Sequence, residues 1–281
     1  MIALIRRSSF GRLFGWELLL GGLLLLAMVL LAAFAPLLTN FDPKALDMEA
    51  QLQNASHLHP LGTDELGRDL LARVLYGGRI SLGIGFSAAL LSSLAGAIIG
   101  LIAPLNRLLD ALLMRVMDGI MSIPTILLAI ALVAVSGSSI QNVVIAVAIV
   151  EAPRIARIIR AETLALRNRP FIDAATACGS STVKIIFRHL LPGVLPQLLV
   201  QATFVWGGAM MIESGLSFIG AGTPPSVPSW GNIMADGKAL WQIKPNLIFY
   251  PAGFLSMSLL AVNLIAEGLR KLLSPHEARG R

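Results

Sequence analysis

An all-α membrane protein of about six transmembrane helices is the fold class this sequence predicts, and three observations predict it. Hydrophobic residues make up 56% of the 281 positions, charged residues only 14%, and the mean hydropathy is +0.76. A soluble chain carries about 25% charged residues, so the shortage marks long apolar runs, not a diluted surface. The Lys and Arg residues also gather in segments between those runs, as the positive-inside rule requires of a multi-pass protein. No polar stretch is long enough to fold by itself, so residues 1–281 read as one transmembrane domain.

At 1.5 Å per residue, crossing a hydrocarbon core of ~30 Å takes ~20 apolar residues. The first candidate covers 16–37. Arg6, Arg7 and Arg12 precede its apolar run from Leu18 to Ala35, and Ala33-Phe34-Ala35 resembles a cleavage site. The run exceeds the 7–15 residues of a signal-peptide core, and Pro36 would follow the cut directly, so we expect a retained first helix. The next candidates are 80–103, with a Gly96/Gly100 pair suited to close helix contact, and 117–136, with Asp118 and a kinking Pro124 near its start. The fourth, 139–160, is the weakest. Its uninterrupted apolar stretch from Ile140 to Val150 contains Gln141 and Asn142 and would equally suit a re-entrant segment. The last two candidates are 194–219 and 247–268.

With the N-terminus inside, 16 of the 22 basic residues fall in inner segments and 6 in outer ones. That bias selects an N-in, C-in chain and therefore an even number of helices, six over five. Two outer segments follow from it. The first, 39–79, is polar, and 'GTDELGRDLLARVLYGG' at its end reads as short amphipathic helices. The second, 221–245, holds Pro224, Pro225 and Pro228, which prevent regular helix there. The net charge of +6 belongs with an anionic membrane surface and not with nucleic acid, because the excess flanks apolar segments.

The inner loop, 161–192, is the informative segment. Arg154, Arg157 and Arg160 recur every three residues, as in a helix leaving the membrane with a basic face. Pro170 breaks that helix, and 'FIDAATACGSSTVK' follows, rich in small residues and halted at Gly179. Pro192 and Pro196 then sit near the first turn of the next span, where proline is tolerated. This is a short helix across the inner face, with Phe171 and Ile172 as apolar anchors. It fits either a groove in another protein or the lipid surface.

The spacing Asp173-Ala174-Ala175, Gly179, then His189-Leu190-Leu191-Pro192 resembles the EAA loop of ABC importer permeases. 'HPLGTDELGRDLLARVLYGGRISLGIG' (59–85), 'ESGLSFIGAGTPPSVPSWGNIMADG' (213–237) and 'NLIAEGLR' (263–270) narrow the likeness to the C-type subunit of the dipeptide/oligopeptide/nickel branch. The resemblance runs over nearly the whole chain. It implies a type I ABC importer permease fold in the bacterial inner membrane. It implies a homologous second permease, two cytoplasmic ATPase subunits and an extracytoplasmic solute-binding protein as partners, besides membrane lipid. ATP and magnesium would bind the ATPase partners, and this chain no cofactor. Arg169, Phe171, Asp173, Ala174, Ala175, Gly179, Leu191 and Pro192 would form the ATPase-coupling site. The cargo would be di- or oligopeptides, with nickel or a metal chelate as the alternative. Asp173 in place of the usual Glu keeps the carboxylate, while Thr176-Ala177-Cys178, Ala266-Glu267 and Ser274-Pro275 depart from the common pattern and bear on cargo.

Other residue types offer little chemistry. Glu213 inside the fifth helix is either a polar position at the outer mouth or, the reading we favour, a buried partner holding that helix to the loop at 221–237. Asp118 and Asn263 are read the same way, structural before functional. His57, His59, His189 and His276 make no metal constellation, and Cys178 is the one cysteine, so neither a disulfide framework nor a Cys-based zinc site exists. The sequence contains no Walker A, HExxH or GxSxG motif, so we expect no enzymatic activity in this chain. A stand-alone secondary transporter or channel is the remaining alternative. It would place paired broken helices and charges at the midplane, and only Glu213 fits that pattern.

Overall fold

The computed structural model describes residues 15–273, which leaves Arg6, Arg7, Arg12, His276, Arg279, Arg281 and the Ser274-Pro275 pair outside the described residues. The described chain is nearly all helix: α1 (Trp16–Ala33), α2 (Ala35–Leu38), α3 (Leu70–Ile102), α4 (Arg107–Met121), α5 (Thr125–Ser136), α6 (Ile140–Arg167), α7 (Pro170–Ala177), α8 (Thr182–Ile185), α9 (Leu191–Ile219), α10 (Trp230–Gly237) and α11 (Asn246–Leu273). A π-helical turn, Ile186–Leu190, joins α8 to α9.

Four helical segments are long and apolar enough to cross a membrane: Trp16–Ala33, Leu70–Leu105, Thr182–Ile219 and Asn246–Leu273. The pair α4–α5, bent by 91°, makes a fifth. The expected single helix 117–136 is therefore two. The first starts at Arg107, where Asn106 caps it by accepting from Leu108 N at 2.8 Å. Proline at 124 lacks an N–H and restricts the residue before it, so the chain turns there sharply where only a kink was expected. By composition α6 does not qualify, because Glu151, Arg154, Arg157 and Arg160 interrupt it. It nevertheless lies along α3. A Cβ added to Gly96 would come within 2.6 Å of Ile155 Cβ, and one added to Gly100 within 2.8 Å of Ile159 Cβ. Both numbers rise together, so α3 and α6 run parallel. The segment between them must return, and α4–α5 makes that return. Among the described residues, six helical passages thus connect two ends.

The other contacts fix which loops share an end. A Cβ on Gly21 would meet Ala261 O at 2.7 Å, and one on Gly268 would meet Leu18 Cβ at 2.6 Å, so α1 and α11 are antiparallel. Gly85 lies against Met210 while Ser81 bonds Glu213, which runs α9 antiparallel to α3. One end accordingly gathers residues 15, 103–106, 168–190 and 273. The other gathers 34–69, 137–139 and 220–245. We call these the inner and outer ends.

Two helices are longer than hydropathy foretells. α3 begins at Leu70, not 80: Asp69 caps it by accepting from Ala72 N at 2.7 Å, and of the segment expected to form short amphipathic helices the first half is loop and the second half is its first turns. Its 33 residues span about 50 Å. α6 continues to Arg167, not 160, and the inner loop shortens accordingly. The outer end is held by charge. Arg68 pairs with Asp64 at 2.6 Å and Asp236 at 2.9 Å, while Arg73 pairs with Asp64 at 2.5 Å and Asp236 at 2.8 Å. These four side chains fasten the loop before α3 to α10.

Candidate functional site

The inner end carries one projecting element. After α6 ends at Arg167, Asn168 and Arg169 turn the chain, and Pro170 opens α7 at a position where its missing N–H costs nothing. Asp173 lies in the first turn, where a carboxylate complements the positive end of the helix. Small residues follow. Cys178 N donates to Ala174 O at 3.0 Å and Ser180 N to Ala175 O at 3.0 Å, closing the helix. Gly179 takes φ +78°, the left-handed turn that a glycine adopts without Cβ strain, and nothing lies within 4 Å of where its Cβ would be.

Ile172 and Phe171 part ways. Ile172 is 6% exposed and belongs to the apolar cluster that includes Ile155, Ile159, Leu190 and Val194, so it anchors α7 to the body of the inner end. The expectation that it projects as a docking anchor is thereby corrected: on a helix of eight residues one side must face the body, and the isoleucine took it. Phe171 is 47% exposed and leans toward the His189 ring, 6.1 Å between centroids. Val183 and Phe187, four positions apart, are more exposed still. Sequence reading passed over these two; their signal was an apolar pair at helical spacing among Lys184 and Arg188. Arg169, Asp173, Ala174 and Gly179 are exposed, Ala175 and Leu191 half-buried, and Pro192 exposed at the start of α9. The site residues thus lie at the inner end, where Phe171, Val183 and Phe187 are exposed along with Arg169, Lys184 and Arg188.

That surface is tied to the membrane helices behind it. Arg167 Nη1 donates to Pro104 O at the corner between α3 and α4. Arg160 makes a forked pair with Asp110 of α4, both contacts 2.5 Å, and Arg157 bonds Asp118. Asp118 is therefore an exposed inner-end partner of α6, far from the outer mouth.

Glu213 lies at the opposite end and is 0% exposed. It accepts from Ser217 Oγ at 2.9 Å, Ser81 Oγ at 3.2 Å and Ser214 Oγ at 3.4 Å. Trp230 N in turn donates to Ser81 Oγ at 3.1 Å, and Thr223 N to Ser217 Oγ at 3.2 Å. Asn232 Nδ2 reaches Thr223 Oγ1 at 2.9 Å and the carbonyls of Pro224 and Val227 at 3.0 Å. The carboxylate is the hub of a hydroxyl network that joins α3, α9 and the proline-rich loop before α10. Among the described residues no group of three His, Cys, Asp or Glu side chains is placed to hold a metal.

Comparison with known proteins agrees with this arrangement. Residues 92–279 match the family described as the binding-protein-dependent transport system inner membrane component. A putative peptide transport system permease protein of Brucella suis is 45% identical over 97% of this chain and 89% of its own length. A dipeptide transport system permease protein of Alkalihalophilus pseudofirmus is 38% identical over 96% and 89% respectively. Among solved structures, an inward-facing form of the MetNI methionine ABC transporter contains a chain that superposes with a TM-score of 0.56, covering 72% of this chain and 96% of that one. At 18% identity this speaks for the fold alone.

Proposed function

The chain belongs to the family of binding-protein-dependent transport system inner membrane components, and from that premise we propose that it lines half of the passage of an ATP-driven peptide importer in the bacterial inner membrane. A homologous second permease supplies the other half. Two cytoplasmic ATPase subunits, carrying ATP and magnesium, dock on the inner end, and an extracytoplasmic binding protein delivers cargo to the outer end. Peptides are favoured over nickel by the names of the relatives at 38–45% identity. The single observation that carries the reading is α7, a helix pinned by buried Ile172 while Phe171, Val183 and Phe187 face outward.

The mechanism follows from what α7 is attached to. Closure of the ATPase pair on ATP displaces α7 and, through Ile172, the inner ends of α6 and α9. Arg157 and Arg160 carry α4 along with α6. The bend at Pro124 lets α4 move without forcing α5 to follow, so the inner half opens and closes while the outer half keeps its packing. The chain performs no bond chemistry.

Gly179→Val tests this. The space around Gly179 is open, so the variant inserts and folds with only the cost of a left-handed β-branched residue, about 1–2 kcal/mol. Uptake and cargo-stimulated ATP hydrolysis by the assembled importer should both fall. Unchanged uptake refutes the coupling role. Orientation has its own check: Cys178 is exposed and is the one thiol in the sequence. An impermeant maleimide should label it from the cytoplasmic side, and labelling from outside would overturn the inner-end assignment.

A further inference from the structure

The outer end contains a cavity of about 220 Å³ whose lining includes Lys44, Arg68 and Arg73 but no carboxylate. Arg73 is 1% exposed, and its Nε–H has no hydrogen-bond partner among the described residues although both its terminal nitrogens are in ion pairs. Lys44 lies on the exposed rim, and its ammonium group makes no ion pair among the described residues. The two carboxylates bonded to the arginines, Asp64 and Asp236, match them in number and leave the Lys44 ammonium unpaired. A buried guanidinium with a spare donor and an uncompensated cation beside it favour an incoming anion, since charge-assisted hydrogen bonds in a sheltered site are the strong ones.

The neighbouring space says which anion. A wider cleft of about 930 Å³ adjoins this cavity and shares Pro43, Lys44 and Pro228 with it. Asp42, Tyr76 and Arg79 also line it, and Arg79 is occupied in capping α1 through Ala32 O and Ala33 O, each at 2.7 Å. The cleft falls within the range of about 300–1,000 Å³ that suits small ligands. Its free acid is Asp42, whose Oδ1 holds the Lys44 backbone N–H at 2.9 Å. We infer that the outer end of this chain holds a receiving site for a short peptide, with its terminal carboxylate in the cavity of Lys44, Arg68 and Arg73 and its body in the adjoining cleft. This rests on the peptide-importer reading above and specifies where and how this subunit first touches its cargo.

The test uses the full permease–ATPase complex in detergent, without binding protein, and ligand-observed saturation-transfer NMR with the dipeptide Ala-Ala and its C-terminal amide. Wild type should bind Ala-Ala, and both amidation and Lys44→Glu should weaken binding about fivefold to tenfold, the worth of one partly hydrated charge-assisted hydrogen bond. Lys44→Arg should restore it. Equal binding of acid and amide, or indifference to Lys44, overturns the inference. So does a Lys44→Glu complex that binds Ala-Ala normally but loses stimulation by the binding protein, since the cavity then takes a carboxylate of that protein. Peptide uptake by the complete importer separates the two levels: if uptake persists while the NMR contrast is absent, only this site fails; if no peptide is taken up, the importer reading fails with it.

Discussion

The two ends of the molecule are built on opposite plans. At the outer end, polar groups are buried and bonded to residues far away in sequence: Arg68 and Arg73 meet Asp236, and Glu213 gathers hydroxyls from α3 and α9. At the inner end, ion pairs also bridge helices, Arg157 to Asp118 and Arg160 to Asp110, but they are partly or fully exposed, and large apolar side chains face outward at Phe171, Val183 and Phe187. Buried polar networks fix one geometry, because each broken contact leaves a desolvated group unpaired. Exposed apolar side chains fix nothing until a partner covers them. The outer end is thus held mainly by its own contacts, Arg73 Nε and Lys44 apart, and the inner end is shaped for completion by something else. This division suits the proposed importer, with ATP hydrolysed on separate subunits.

The sharpest way to break the contrast is to attack the outer charges. Removing one partner of a buried ion pair typically costs about 3–5 kcal/mol. Arg73→Ala takes one of its two guanidinium partners from buried Asp64, while Arg68 still reaches both carboxylates. We expect a loss near the lower bound, about 3 kcal/mol, read as a fall in the melting temperature of the purified complex. A loss below 1 kcal/mol would mean that the outer end is not locked by charge.

Next in size is the pair on α7. Ile172→Ala removes a buried branched side chain, a change worth about 2–5 kcal/mol in well-packed cores. On a short helix near the surface we expect about 2 kcal/mol. Its neighbour Phe171→Ala should leave stability within about 0.5 kcal/mol, as surface substitutions do. Uptake should nonetheless drop in the Phe171 variant, since the ring is a contact and not a support. If the two residues exchange these phenotypes, the inner end has been read backwards.

That pair also shows what the sequence could reveal. Hydropathy reports where a membrane would be, not where a helix ends. The apolar run therefore placed the start of the second long helix at 80, while the Asp69 cap sets it at Leu70, because Arg73 finds Asp64 and Asp236 and so tolerates burial. The same measure undervalued α6, whose Arg157 and Arg160 are answered by acids on α4. Glycine spacing at 96 and 100 and the proline at 124 were legible because their effects are local. The loop around 170–179 was legible as a short helix from Pro170 and Gly179, but not which apolar residue would face inward, which depends on the cluster around Ile159 and Val194. The cationic cavity was invisible, since residues 44, 68 and 73 meet across a loop whose course no periodicity encodes.

Glu213 offers a third, smaller test. Glu213→Ala leaves hydroxyls of Ser81 and Ser217 without their acceptor, and a buried unsatisfied group costs about 1–3 kcal/mol. Glu213→Gln keeps one acceptor oxygen, so about half of that loss should return. A gln variant as unstable as the alanine variant would show that the negative charge, not the acceptor geometry, holds the proline-rich loop in place.

The smallest effect should come from Asp118→Asn. Its pair with Arg157 is exposed on both sides, 52% and 47%, and such pairs contribute about 0–1 kcal/mol. Asparagine keeps an acceptor oxygen within reach of the guanidinium, so the packing of Met117 beneath it is undisturbed and the change isolates the charge. Because the pair lies in solvent or at the headgroup level, any contribution is screened by salt. We therefore expect a melting-temperature shift at the limit of detection in low salt and none at high salt. The value of so small an effect is its leverage on the mechanism. If α4 follows α6 through Arg157 and Arg160 together, loss of one pair should slow cargo-stimulated ATP hydrolysis more than it lowers stability. A variant that loses stability while keeping its ATPase response would show instead that the inner end, like the outer, is held shut by its charges.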